Sequence, residues 1–180
     1  SPEGSTVGWG GNLGDLALGN SANSNSLFTC MSVTGNTVFL SGDSALSYQV
    51  GTSGAVKINS VAGNSVYGSS AVRAAMAQIA QQSRSHLLEN EYNRVTARAI
   101  GAEGAITTAL ESPAALDTTA APNPNFAAFS PTVMANNSLA AQLKMVARLI
   151  AARNNLGTRR QVFFVSLGGF DMHDGLLNGH

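Results

Sequence analysis

The chain has 180 residues, enough for one domain with a buried core. Lysine plus arginine (10) equal aspartate plus glutamate (10), and no basic run is present that would bind nucleic acid or an anionic membrane surface. No apolar stretch approaches the roughly 18 residues that a membrane span needs, and the single cysteine, Cys30, excludes a disulfide within the chain.

Residues 1–25 are rich in Gly, Ser and Asn, which predicts a surface loop. Within it, Asn12–Leu18 has the pattern of a short helix. Trp9 lies among three glycines, and we favour a role for it as the hydrophobic anchor of the loop. A place at the mouth of a ligand site is the alternative for the same side chain.

Residues 26–62 are predicted to form a small antiparallel β meander, because short β-type runs alternate there with turn sequences. The turn Thr34-Gly35-Asn36, between the first two runs, is a hairpin signal. The edge of such a meander could bind carbohydrate or a partner, but no aromatic or charged residues line up to support that. The four runs are Leu27–Val33, Thr37–Leu40, Ala45–Val50 and Ala55–Asn59.

Over residues 69–100, apolar side chains recur at three- and four-residue spacing, which predicts a long amphipathic helix. Gly101 and Gly104 are expected to weaken or end it. His86 has no second histidine or carboxylate at ligand spacing on its own face, so a structural or surface role is favoured over a metal ligand. The apolar stripe includes Val72, Met76, Ile79, Leu87, Leu88, Tyr92 and Val95.

Residues 111–137 contain four prolines, which discourage helix and predict a long linking loop pinned to the body by Phe126 and Phe129. Residues 138–156 follow as an amphipathic helix, with Ser138 as the expected N-cap and Gly157 as the expected residue just past its end.

The last part of the chain combines a predicted strand with a cluster of acidic and imidazole side chains. Residues 161–167 form an apolar run typical of a strand buried on both faces. Residues 168–180 begin with two glycines and then present the candidate site as a loop. At the carboxyl edge of a sheet, such a loop is where α/β proteins place ligands. The candidate metal ligands are Asp171, His173, Asp174 and His180.

Two readings of this loop stay open on spacing alone. Asp171 and His173 are two residues apart, so both side chains reach one divalent ion if the backbone is extended. Asp174 would then be a further ligand or would fix the histidine tautomer, and His180 would add a nitrogen. The simpler reading is that the aspartates only cap the turn that follows, at residues 175–178.

Several segments resemble one bacterial protein family. RQVFFVSLGGFDMHD is similar to the signature of the family known as domain of unknown function 1501, although Met172 stands where that family usually has threonine. The helix sequence LAAQLKMVARLIAARNNLGTRR and the opening GSTVGWGGNLGD resemble two further segments of the same family. The resemblance therefore touches both ends of the chain, while the middle is too plain to judge.

The resemblance implies an α/β fold similar to that of alkaline phosphatase, with a parallel sheet between helices and metals at the carboxyl ends of strands. It implies a protein exported by the twin-arginine route to the periplasm or beyond, which the composition rich in Ala, Ser, Asn, Gly and Thr also suits. The implied activity is metal-dependent hydrolysis of an anionic phosphate or sulfate ester. Asp171 and His173 would be the ligands, with Asp174 or His180 in support.

The family pattern also has an upstream strand with a Gly-Gly-Asn-Asp loop and a downstream Asp-His-Gly segment. Because neither is in the sequence, we expect the chain to be an internal portion of a longer parent chain and, alone, catalytically incomplete. Ser166 is not a credible nucleophile, since it is predicted to lie inside the buried strand. The alternative is a non-catalytic exported binding or assembly protein that keeps the fold without the chemistry.

Overall fold

The computed structural model describes residues 6–19, 23–35, 37–59, 61, 63 and 65–169. Over these residues the fold is mixed α/β, with a four-stranded, mostly parallel sheet, so the predicted class is confirmed at this level. The strands are β1 (Cys30–Ser32), β2 (Ser47–Gly51), β3 (Gly54–Ala55) and β4 (Val162–Phe164), in the spatial order β3-β2-β1-β4. The helices are α1 (Trp9–Gly19), α2 (Ser70–Gln81), α3 (Leu87–Leu110), α4 (Pro131–Met134) and α5 (Ser138–Ala151).

The predicted antiparallel meander is wrong in its first half. β1 pairs in parallel with both β2 and β4, and only β2 and β3 form an antiparallel hairpin. The run Thr37–Leu40, predicted as a strand, contains a 3₁₀ turn at Val38–Leu40 instead. The turn packs under α1, where the Gly8 amide donates to the Ser41 carbonyl at 2.7 Å. This contact keeps the segment from returning along β1, so the chain enters β2 in the same direction as β1.

The sheet separates two apolar clusters, because successive side chains of a strand point to opposite faces. The larger cluster joins the sheet to α3 and α5, with Met31, Val50, Ile106, Met145 and Leu149 fully buried. The smaller cluster lies under α1, around Cys30, Leu40 and Ala45. Cys30 is therefore a core residue, as predicted, and burial raises the pKa of its thiol to about 11.

β4 is half-buried, whereas residues 161–167 were predicted to be buried on both faces. Phe163 packs against the larger cluster and Phe164 against the smaller one, so both faces are apolar as the pattern indicated. β4 pairs with β1 on one side, and no other strand of the described residues pairs with it. Its position at this edge of the sheet explains the remaining exposure.

The predicted helix over 69–100 is divided in two, and its second part extends beyond the glycines. α2 ends with Gln82 as its C-cap, and α3 begins at Leu87. Two α3 side chains hold the intervening turn: Asn90 Oδ1 accepts from the Arg84 amide at 3.0 Å, and Asn93 Nδ2 donates to the Gln82 carbonyl at 2.7 Å.

α3 then continues through Gly101 and Gly104 to Leu110. Burial of this half of the helix outweighs the low helix propensity of glycine. Arg148 of α5 stabilises the end of α3, since its guanidinium donates to the carbonyls of Leu110 at 3.1 Å and Ala115 at 2.7 Å. A cation at a helix C-terminus also complements the helix dipole.

The N-cap of α5 is Asn137 rather than the predicted Ser138, which is instead the first residue of the helix. Asn137 Oδ1 accepts from the Ala140 amide at 2.9 Å. Beyond Ala151 the chain continues in turns to Gly157, which has φ 66°. The Thr158 amide donates to the Arg153 carbonyl at 3.0 Å, the bonding pattern of a glycine-terminated helix end. No helix in the described part of the chain combines the length and apolar character needed to cross a bilayer.

Candidate functional site

The carboxyl ends of β1, β2 and β4 lie at one edge of the sheet, because these strands are parallel. Thr34 follows β1 and Ser166 follows β4, and their hydroxyl oxygens are 2.6 Å apart. Both residues are exposed. The edge therefore presents two adjacent hydroxyl groups to solvent.

Gln142 of α5 fixes the chain where it leaves β4. Its amide nitrogen donates to the Ser166 carbonyl at 3.0 Å, and its amide oxygen accepts from the Ser166 amide at 2.9 Å. Gln142 is almost fully buried, so these bonds satisfy a polar side chain that would otherwise be costly to bury.

The predicted position of Ser166 inside a buried strand is wrong, since the residue lies beyond β4 and is exposed. In the described part of the chain, neither an imidazole nor a carboxylate hydrogen-bonds to its hydroxyl, which instead contacts Thr34. Among the described residues, therefore, none is placed as the general base that an activated serine needs.

After Ser166, the chain continues through Leu167 to the exposed Gly168 and Gly169. Gly169 has φ 92°, a left-handed conformation that favours glycine. The four predicted metal ligands, Asp171, His173, Asp174 and His180, lie outside the described residues. Among the residues that are described, no group of three or more His, Cys, Asp or Glu is placed to hold a metal ion. The ligand set stays a prediction.

Three aromatic side chains lead from the protein surface to the end of β4. The ring centroids of Trp9 and Phe39 are 6.2 Å apart, and those of Phe39 and Phe164 are 5.5 Å apart. Trp9 is 72% exposed, so its predicted role as a hydrophobic anchor is wrong. Its neighbouring glycines make the close contacts of this segment, and the indole is left at the surface beside Phe39. The alternative place at a ligand mouth stays open.

Asp15 is a structural carboxylate that the sequence analysis missed. Its oxygens accept from the amides of Ala45 at 2.7 Å, Asp43 at 2.8 Å and Ser44 at 2.9 Å. The hydrogen bond from Ala45, with those from Asp43 and Ser44, lowers the pKa of Asp15, and desolvation opposes the shift. No local signal could have identified this role, because the partners lie about 30 residues away along the chain.

The stability of the protein is expected to fall in acid partly through Asp15. Because the pKa of Asp15 is lower in the folded state than the ordinary value of about 3.9, its contribution is complete above that value. The contribution is lost as the pH falls through the folded pKa. Asp15→Asn should therefore be less stable than wild type at pH 7, by thermal unfolding, and the difference should shrink in acid. Asp43→Asn, an exposed control, should match wild type throughout; a pH-independent deficit for Asp15→Asn would contradict the assignment.

The proline-rich segment is ordered around a second carboxylate and encloses a groove. Asp117 accepts from the Asn123 amide at 2.8 Å and pairs with Lys144 of α5 at 2.5 Å, and these contacts lower its pKa. Phe126 is buried, as predicted, while Phe129 is half-buried. The groove beside them has a volume of about 880 Å³, and proline, phenylalanine and methionine side chains share its lining with polar residues such as Asp117 and Lys144.

Comparison with protein-family models, curated proteins and solved structures finds no match to this chain.

Proposed function

We propose that the chain carries part of the active site of an exported, metal-dependent hydrolase of phosphate or sulfate esters, on a fold similar to that of alkaline phosphatase. One observation supports this above the others. β4 runs parallel to β1 and leaves the sheet through Gly168 and Gly169, and the sequence places Asp171 and His173 directly beyond them. The carboxyl edge of a parallel sheet is the usual place for ligands in α/β proteins.

The donor chemistry of this segment suits a divalent ion. A carboxylate and an imidazole are ligands that zinc and related metals accept, and we assign them to Asp171 and His173. Asp174 and His180 would add a ligand or hold the histidine tautomer. A metal bound there would polarise the ester and lower the pKa of a nucleophile.

Other residues at the edge would orient an anionic ester. The hydroxyls of Thr34 and Ser166 are hydrogen-bond donors that face solvent next to the exit of β4. The Gln142 clamp would keep that exit in one position. Trp9, at the end of its aromatic row, would form one wall of the approach. Export to the periplasm or beyond is part of this proposal and agrees with the low content of charged residues.

A metal analysis with two histidine variants tests the proposal. The purified wild-type protein, equilibrated with Zn²⁺ or Mn²⁺ and dialysed, should retain metal. His173→Ala should lose it, because an imidazole ligand is removed. His86→Ala is the matched control: this residue precedes α3 and is exposed, so the variant should bind as wild type does. Equal metal content in wild type and His173→Ala would contradict the proposal.

A second candidate is a non-catalytic exported binding or assembly protein. It is favoured by the exposed apolar side chains on α2 and α3, which have no place in hydrolytic chemistry. A wild-type protein that retains no divalent metal in the same analysis would support this candidate over the hydrolase.

A further inference from the structure

α2 and α3 expose a continuous apolar surface, which we call the hairpin face. The two helices form a groove of about 870 Å³, with Met76 and Ile79 on one side and Leu88 and Tyr92 on the other. Ile79 is 56% exposed, Leu88 is 73% exposed and Tyr92 is 72% exposed. Contiguous exposed apolar patches of this kind are typical of interaction sites.

α2 is only lightly packed against the rest of the chain. None of its 12 residues is buried. An isolated helix of about this length is marginally stable in water, and most helices in proteins are stabilised by packing of an apolar face. α2 does have such a face, formed by Val72, Met76 and Ile79, and these side chains stay 41%, 36% and 56% exposed.

α3 carries one apolar seam, of which only half is packed. Leu88, Tyr92, Val95, Ala99, Ala102, Ile106 and Ala109 alternate at spacings of four and three residues, the pattern of helices that pack side by side. The C-terminal half of the seam is core: Ala102 and Ile106 are buried. The N-terminal half continues the same pattern on the hairpin face. Its composition is that of a helix–helix interface.

The charges around the groove are self-complementary. Arg84 and Glu89 are the charged side chains in its lining, both exposed and of opposite sign. A strongly acidic or basic partner would leave one of them facing a like charge. A second copy related by a two-fold axis can pair each with its opposite, since a two-fold interface joins a surface to itself. The formal net charge of zero means that two copies do not repel each other.

The exposed area suits a weak homodimer. Burying one aliphatic side chain removes roughly 60–120 Å² of apolar surface, and an aromatic one more. The half-exposed side chains of the hairpin face would then give a total interface of roughly 1,000 Å² for two copies, if about 65% of it is apolar. This value is at the low end for specific interfaces, so dissociation in the micromolar range is expected.

We propose that the hairpin face is a self-association surface, on which α2 and α3 of one copy pack against α2 and α3 of a second copy. The four helices form a bundle about a two-fold axis. Leu88 and Tyr92 lie at its centre, and Arg84 of each copy pairs with Glu89 of the other. This proposal is independent of the proposed metal site, since none of the residues of the hairpin face lies at the carboxyl edge of the sheet.

Analytical ultracentrifugation over a concentration series tests the proposal. Wild type should sediment as a monomer–dimer equilibrium. Leu88→Glu should shift the dissociation constant upward by at least about tenfold, because a charge would be buried at the centre of the interface. Leu143→Glu is the matched control: Leu143 is an exposed leucine of α5, away from the hairpin face, and its variant should dimerise as wild type does. Circular dichroism of each variant reports whether the helices are retained.

Charge reversal supplies a second test that leaves the apolar face intact. Arg84→Glu and Glu89→Arg should each weaken the dimer, and the double variant should restore it, because the pairs re-form with exchanged signs. A wild-type protein that stays monomeric at all concentrations would overturn the proposal. A dimer that persists unchanged in Leu88→Glu, or that the double reversal does not restore, would also overturn it.

Discussion

Gly11→Ala is expected to lower the free energy of unfolding by about 2–3 kcal/mol, although alanine is the better helix former. A Cβ atom at Gly11 would meet the carbonyl group of Ser41 and the amide nitrogen of Gly42. These are backbone atoms, so the clash cannot be relieved by a side-chain rotation. α1 would have to move away from the 3₁₀ turn, and the cluster around Cys30 would loosen with it.

Gly19→Ala is the matched control for this prediction. Gly19 is the last residue of the same helix, and a Cβ atom there would meet nothing within 4 Å. The substitution should be neutral or stabilising by up to about 1 kcal/mol. Urea unfolding of both variants measures the difference through the transition midpoint at constant slope. Equal midpoints for the two variants would show that the contact of α1 with Ser41 and Gly42 does not require glycine at position 11.

The close packing of α1 also explains why the helix is longer than the short one predicted over Asn12–Leu18. Gly8, Gly11 and Gly14 each lie against another part of the chain, and Gly14 would place a Cβ atom against Cys30 and Ala45. Only a residue without a side chain allows this approach. Local composition favours a loop over residues 1–25 with only a short helix inside it, because glycine is unfavourable in helices. The helix forms because it packs against Cys30 and the 3₁₀ turn, which lie far ahead in the sequence.

The sequence predicts the helices and strands whose signal lies in the spacing of neighbouring residues. The apolar periodicity of residues 138–156 and the β-type runs around β1, β2 and β4 identified helix and strands, because hydrophobic spacing is a property of neighbouring residues. The helix-loop-strand unit of α5 and β4 then favoured an α/β class. The partner of β4 was not predictable in this way, since β1 lies about 130 residues earlier in the chain.

The features that sequence reasoning missed depend on distant or side-chain contacts. The hairpin signal at Thr34-Gly35-Asn36 was overridden by α1, which holds the following residues in a turn. The break after α2 contains neither proline nor glycine, and it is held by Asn90 and Asn93 from within α3. Nothing in the sequence around Gln142 predicts its hydrogen bonds with Ser166, which is 24 residues away. Of the candidate site, the sequence located the strand exit, while the ligands stay predictions.

Ile106→Ala is expected to lower the free energy of unfolding by about 3–4 kcal/mol, whereas Leu88→Ala at low protein concentration should change it by less than about 0.5 kcal/mol. Both side chains belong to the apolar seam of α3. Ile106 is completely buried in the main cluster, so truncation leaves a cavity. Leu88 faces solvent in the monomer, so truncation removes few contacts. Chemical unfolding of dilute protein measures both values.

The same pair of variants separates monomer packing from self-association. At concentrations above the dissociation constant, a dimer adds stability to wild type by mass action, because only the folded chain associates. Leu88→Ala should lose that added stability, so its deficit should grow with protein concentration. The deficit of Ile106→Ala should be nearly independent of concentration. A deficit for Leu88→Ala that stays constant over the whole range would mean that this half of the seam is exposed without a second copy to cover it.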